Sequence, residues 1–447
     1  MQSHHRPTLF TQLVALFLVL AAISMRAPLA QAEDTPGFVQ LQGGPFQRTY
    51  LVNTRSFGDD GEVEAYLIFQ KGEKDMVGPE GQLHYVEHLS WLNAIGNNRL
   101  GTGGDSNAWT DKSSIGYWLS GPKDKLKENL GILSHVFDPI SLPTDFALQE
   151  RDIIQREYDY RIGNNHDAQI EEILDKMLYE GNGLARSPMG QKSEIAQFEL
   201  SQALAIHNST HNASNAILVV VGDITMAEVR MALPSLKSAA AITPPIQALV
   251  MASPTTQTTT FPDVPLSPKI IWRRIVEMPQ PSQYSLLDQR CQLLKEVLLA
   301  NLPGSLTKSL RYDNFFARSF DLSIQAIDDR HVELRFSGYP DKNIKLVDLQ
   351  SAFEKTLSQS ASNGIPQDTF DRVKARVIKD LPKTNQDSAL SEWAKKKVIQ
   401  YISAGHIPPA LAEVKKLESD LTVSSIDSIL RMIVGQGRTA VAFVGKE

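Results

Sequence analysis

Residues 84–88 read His84-Tyr85-Val86-Glu87-His88, and this short stretch decides the reading of the chain. On an α-helix, residues i, i+3 and i+4 lie on one face. Two imidazoles one turn apart can therefore grip a single metal ion, with Glu87 held beside them. Zinc suits two neutral imidazoles and a carboxylate, and a catalytic site keeps its fourth position for water. The metal lowers the pKa of that water toward neutrality, and a neighbouring carboxylate can take its proton as a peptide carbonyl is attacked. The chain holds ten histidines. At that composition such a pentad arises by chance on the order of once in a hundred sequences. A second pair at the same spacing, His207 and His211, lacks an intervening acid, precedes a buried strand, and reads as structural.

A catalytic zinc needs a third protein ligand. The helical stretch that follows Asp145, read as its cap, carries Gln149-Glu150-Arg151-Asp152-Ile153-Ile154-Gln155-Arg156-Glu157. Glu150 and Glu157 fall two turns apart on one face, so either can complete the site while the other supports it. Spacing alone leaves the choice open.

Farther out, short β-rich runs alternate with amphipathic helices. Strands are expected at 63–70, 216–221, 270–276, 320–325, 331–338 and 439–444, and helices at 124–137, 145–161 and 287–302. Ala216–Val221 (AILVVV) and Thr439–Val444 (TAVAFV) both run into a glycine, a phrase that points to a duplicated unit. The expected class is α+β, with two similar domains, each a mostly antiparallel sheet packed with helices. The expected organisation is a segment over 1–32, a metal-binding domain over 33–240, a Pro/Thr/Ala-rich linker over 241–269 and a second domain without metal over 270–447. Residues 1–32 have the layout of a cleaved export signal. Arg6 opens it, an apolar run follows from Leu13 to Ile23, and Ala30-Gln31-Ala32 supplies the cleavage pattern. The run is shorter than the ~20 residues a membrane span needs, so no stable anchor is expected after cleavage. The address is then the periplasm, or the outside medium.

The 447 residues carry 45 basic and 51 acidic side chains, a net charge of −6, and this balance gives no electrostatic reason for nucleic-acid binding. One cysteine, Cys291, excludes a disulfide scaffold.

Taken together, these segments resemble the pitrilysin/insulinase family of zinc metallopeptidases. His84–His88 has that family's inverted zinc motif. Gly103-Gly104-Asp105-Ser106-Asn107-Ala108-Trp109-Thr110 is similar to its GG-x-x-NA-x-T segment, Glu150-Arg151 through Glu157 to its E-R-x-x-x-x-x-E helix, and Asn215–Thr225 to the strand that closes its first domain. The resemblance implies a processing-peptidase-like fold, one Zn2+ per chain held by His84, His88 and Glu157, Glu87 as general base, and Glu150 as a supporting carboxylate. It also implies that Asn107 and Ala108 lie on an edge strand beside the metal, where an extended peptide substrate pairs by main-chain bonds.

The second half departs from the pattern. Arg311 stands where the family carries an arginine in a phrase like LRE-x-x-G-L-A-Y, but Arg318 stands where its tyrosine is expected. Such enzymes enclose substrate between two double-domain halves, and this chain amounts to one. The resemblance therefore implies a heterodimer whose companion supplies the Arg/Tyr pair, with a homodimer as the second choice. The alternative to an endopeptidase is a non-catalytic structural or binding subunit of such a pair.

Overall fold

The computed structural model describes residues 37–54, 61–96, 105–236, 249–379, 389–408 and 419–446. The expected export segment at 1–32 and part of the expected linker lie outside these residues. Among the described residues no helix is long and apolar enough to cross a membrane.

Two sheets organise the chain. The first is built from β1 (Gly37–Leu41), β2 (Arg48–Asn53), β3 (Glu62–Phe69), β4 (Ser106–Thr110), β5 (Ile115–Pro122) and β6 (Ala216–Gly222), in the order β1-β2-β6-β3-β5-β4. Only the β2–β6 pair is parallel. The second is built from β7 (Thr256–Phe261), β8 (Lys269–Glu277), β9 (Ala317–Ala326), β10 (His331–Pro340) and β11 (Arg438–Val444), in the order β7-β11-β8-β10-β9. Its one parallel pair is β7–β11. Strand for strand, 2-6-3-5-4 repeats as 7-11-8-10-9, with the parallel pair in the same place. The two strand-Gly phrases are β6 and β11, which occupy equivalent positions. The α+β class with two similar, mostly antiparallel sheets is the observed architecture.

Two local expectations are corrected. Residues 241–269 are not linker throughout, because Thr256–Phe261 (TQTTTF) forms β7 along β11. Its β-branched threonines favour extended chain, and alternate side chains face the sheet. Asp145 is not a helix cap either. The helix runs Thr144–Tyr158 from Pro143, and Asp145 sits in its first turn, where a carboxylate meets the positive end of the helix dipole.

Both faces of each sheet are covered, which explains why all seven residues of β6 are buried. One face of the first sheet packs on α1 (Gln82–Ile95) and α2 (Leu126–Ser134), through Leu67, Phe69, Tyr117 and Leu218 against Leu83, Leu130 and Leu133. Its other face, with Tyr50, Val52, Ile68 and Val219, is closed by Val398 and Ile402, which belong to a helix over 389–403. The second sheet is closed reciprocally. The helix α3 (Thr144–Tyr158) is followed by α4 (His166–Leu178), and Ile170, Leu174 and Leu178 of α4 pack on Ile271, Ile275, Ala440 and Ala442. Each sheet thus borrows one cover from the other half of the chain.

Charges line the seam under α4. Arg273 on β8 is 7% exposed; its Nε donates to Glu333 Oε1 at 2.7 Å and its Nη1 pairs with Asp175 Oδ1 at 2.7 Å. The Tyr179 hydroxyl donates to the second Glu333 oxygen, and Lys112, two residues beyond β4, pairs with Asp175 at 2.7 Å. His207 and His211 stack with ring centroids 4.6 Å apart. His207 bonds the Val136 carbonyl at 2.9 Å, and His211 bonds the Tyr117 hydroxyl at 2.8 Å.

Candidate metal centre

The helix that carries the pentad is buried on nearly every side. Leu83, Tyr85, Val86 and Leu89 are fully buried or nearly so, and His84 and Glu87 are buried with them at 5% and 6% exposure. Its start is set by Gly81, which has φ +84 and lies so close to the Gly190 backbone that a Cβ would approach it within 2.8 Å. This close packing holds α1 against the body of the first half and fixes where its side chains point.

His84 Nε2 and His88 Nε2 face each other at 3.2 Å. Glu157, near the end of α3, brings Oε2 to 3.5 Å from His84 Nε2 and Oε1 to 3.8 Å from His88 Nε2. One ligand atom from each of these three residues lies within 4.8 Å of the others. Glu150 stands one layer back, with Oε2 2.9 Å from the outer nitrogen, Nδ1, of His88. A carboxylate there fixes the ring's orientation and tautomer and leaves Nε2 free to bind a metal. The two glutamates that spacing left equivalent are thus separated by the fold: Glu157 meets both imidazole nitrogens, and Glu150 meets the back of one ring. Immediately after Glu157 the helix widens into a π-turn over Asp159–Gly163, which sets Arg161 Nη2 at 3.8 Å from Glu157 Oε2.

The donor set fits zinc. Two imidazole nitrogens and a carboxylate oxygen converge from two rigid helices, and the buried Glu157 Oε2 has no hydrogen-bond partner. Burial, reinforced by His88 and Arg161, holds the His84 pKa well below its ordinary value, so the ring stays neutral as a ligand must. Burial works in the same direction on His88, but the Glu150 hydrogen bond and the nearby Glu87 outweigh it and raise that pKa. Glu87 is pushed up to about 7, chiefly by burial. Its Oε2 accepts a 2.8 Å hydrogen bond from the Thr110 hydroxyl on β4. Thr110 stood inside the quoted Gly103–Thr110 phrase, yet nothing in its spacing from Glu87 marks the contact.

Asn107 and Ala108 lie on β4, which is an edge of the first sheet. The Asn107 side-chain oxygen accepts from its neighbour's N–H, Ala108 N, at 2.9 Å. Arg311 lies on a π-turn over Lys308–Asp313, exposed, its guanidinium 5.6 Å from the Tyr312 ring centroid. Arg318 is exposed near the start of β9, the edge strand equivalent to β4 in the repeated order. Among the described residues no hydrogen bond or ion pair joins either arginine to His84, His88 or Glu157.

No family model matches the chain. Over 178 residues, 38% of this chain, it is 24% identical to the zinc protease PqqE of Helicobacter pylori (strain ATCC 700392 / 26695), and the match covers 40% of that protein. The chain therefore spans less than half the length of this curated relative. Among solved structures, it superposes on the periplasmic protease PqqL from Escherichia coli with a TM-score of 0.71 at 16% identity. That superposition covers 92% of this chain and 48% of PqqL. It also superposes on a peptidase M16 inactive domain from Pseudomonas fluorescens, with a TM-score of 0.68 at 15% identity, over 92% of this chain and 98% of that domain. At these identities the structural likenesses speak for the fold.

Proposed function

We propose, from the premise that its sequence relatives include a zinc protease and its structural neighbours are halves and domains of the pitrilysin/insulinase (M16) type, that this chain is the metal-binding half of a zinc-dependent endopeptidase. The observation that carries the reading is the convergence of His84, His88 and Glu157 within 4.8 Å, with the Glu87 carboxylate near enough to feel the charges of His88 and Glu157. His84 Nε2, His88 Nε2 and a Glu157 oxygen would hold the ion, and Glu150 would keep the His88 ring in register. When bound, zinc supplies a Lewis acid for the scissile carbonyl and an acidified water.

The chain's own residues do the rest. Glu87 takes a proton from the attacking water on its carboxylate and returns it to the leaving amine. The exposed edge of β4 at Asn107 and Ala108 binds the substrate main chain as an added strand, so peptides and unfolded segments are accepted with little demand on sequence. The half carrying these groups spans 33–240, and 270–447 forms the half without ligands. Arg311 and Arg318, both exposed on the second half, are assigned to substrate on the resemblance of the Arg311 phrase alone. A companion subunit contributes the Arg/Tyr pair that Arg318 breaks, and a homodimer is the second choice. The layout of residues 1–32 makes the protein exported, with the periplasm as its place of action.

The test is zinc analysis of the purified protein together with a quenched-peptide assay, run with and without a chelator and with candidate partner chains. Chelator-sensitive cleavage is expected, strongest in fractions that size as a dimer. A zinc-free chain, inactive even beside its partners, would instead support a non-catalytic subunit. That reading is favoured by one observation, the exposed Arg318 in place of the expected tyrosine. Glu150→Gln provides a second check. Loss of the carboxylate behind His88 is expected to weaken zinc binding by about 10–100-fold, read by competition with a chromophoric chelator. Unchanged affinity would remove Glu150 from the site.

A further inference from the structure

The strand β4 has an inward and an outward set of main-chain groups. The Ser120 N–H donates to the Asp105 carbonyl at 2.8 Å, and the Asp111 N–H donates to the Ser114 carbonyl at 2.9 Å. Between them Asn107 pairs with Trp118, and Trp109 with Gly116. Because an antiparallel ladder alternates every residue, 105, 107 and 109 face β5, as does the Asp111 N–H, while Ser106, Ala108 and Thr110 direct their N–H and C=O groups away from it. The Asp111 carbonyl, past the strand's end, accepts from the Glu73 N–H at 3.0 Å. The Ala108 N–H fits this assignment, since it is met by the Asn107 side chain and not by β5. Side chains alternate in the same way. Ala108 packs into the core shared with α1, Trp109 packs on the opposite face of the sheet, and the Thr110 hydroxyl reaches Glu87.

Thr110 is therefore the residue at which the outer edge and the buried carboxylate meet. Its main chain belongs to the edge, and its side chain holds Glu87 Oε2 at 2.8 Å. Beyond it the chain is pinned. Lys112 pairs with Asp175 and donates to the Leu184 carbonyl, and the Lys74 N–H donates to the Lys112 carbonyl at 3.0 Å.

We propose that Thr110 is a positioning residue, linking a peptide strand added at the β4 edge to the orientation of the Glu87 carboxylate. This rests on the peptidase reading above. A strand pairing at Ala108 and Thr110 restrains the backbone that carries the hydroxyl, and the hydroxyl fixes the rotamer of Glu87. Peptide bound at the edge is thereby matched to a correctly aimed proton acceptor.

The experiment compares wild type, Thr110→Val, Thr110→Ser, Glu87→Gln and the Thr110→Val/Glu87→Gln pair, as full chains with any partner required for activity. Valine keeps the branched shape and removes the hydroxyl. Thr110→Val is expected to lower kcat by about 10–100-fold with KM nearly unchanged, and Thr110→Ser to recover most of it. Zinc content should stay at the wild-type level. In the Glu87→Gln background, Thr110→Val should cost little further rate, because the two residues act as one unit. The urea midpoint of the metal-free protein should fall in Thr110→Val, which loses the hydroxyl's hydrogen bond, and return toward wild type in Thr110→Ser, a readout that needs no turnover. The assignment is overturned if Thr110→Val matches an active wild type, or if Thr110→Ser is as impaired as valine. A wild type that cleaves no peptide while holding zinc overturns the peptidase reading, and this inference falls with it.

Discussion

Glu87→Gln is expected to lower peptide hydrolysis by roughly 10²–10⁴-fold while the protein still binds zinc. Glutamine preserves the length of the side chain and an oxygen for the Thr110 hydroxyl, which donates to Glu87 Oε2 at 2.8 Å. It cannot take up and release the proton that attack on a peptide carbonyl sheds. None of the three groups that converge at the candidate centre, His84, His88 and Glu157, is altered. The variant therefore separates metal binding from proton transfer. Turnover of a quenched peptide and zinc content by metal analysis are the two measurements. Wild-type turnover in a zinc-loaded Glu87→Gln protein would remove Glu87 from the mechanism.

The next largest effect is expected outside the candidate centre, at Arg273. Arg273→Met should destabilise the fold by about 3–5 kcal/mol, because breaking a buried ion pair leaves the partner charge without compensation. Glu333, 3% exposed, would lose its 2.7 Å contact with Nε, and Asp175 would lose its 2.7 Å contact with Nη1. The urea midpoint reads the change, and Glu333→Gln added to Arg273→Met should restore part of it. An unchanged midpoint would show that water already serves these carboxylates. The loss also reaches function. Asp175 holds Lys112, which follows β4, so a loosened α4 should disturb the edge strand where substrate is proposed to bind.

The reciprocal packing explains why this seam matters. A sheet with two apolar faces needs two covers, and here α4 closes the second sheet while Val398 and Ile402 close the first. Neither arrangement leaves a mark in local spacing. Ile170, Leu174 and Leu178 recur at helical intervals, which announces an amphipathic helix but does not say which sheet it covers. The Thr-rich β7 shows the same limit from the other side. Its composition reads as linker until β11, far along the chain, supplies the ladder.

What could be read from the letters alone depended on periodicity. His84, Glu87 and His88 share a face because helical geometry places i, i+3 and i+4 together, whatever surrounds them. The strands at β3, β6, β8, β10 and β11 were equally visible, since alternating or continuous apolar runs are local signals. The contacts that turn these parts into a site join residues far apart in sequence. Periodicity left Glu150 and Glu157 equivalent, and only the resemblance of the E-R-x-x-x-x-x-E helix pointed to Glu157; the approach of Thr110 to Glu87 and the charges beneath α4 required the folded chain. Side-chain spacing along one element sets which groups share a face, but only packing between elements sets what that face meets.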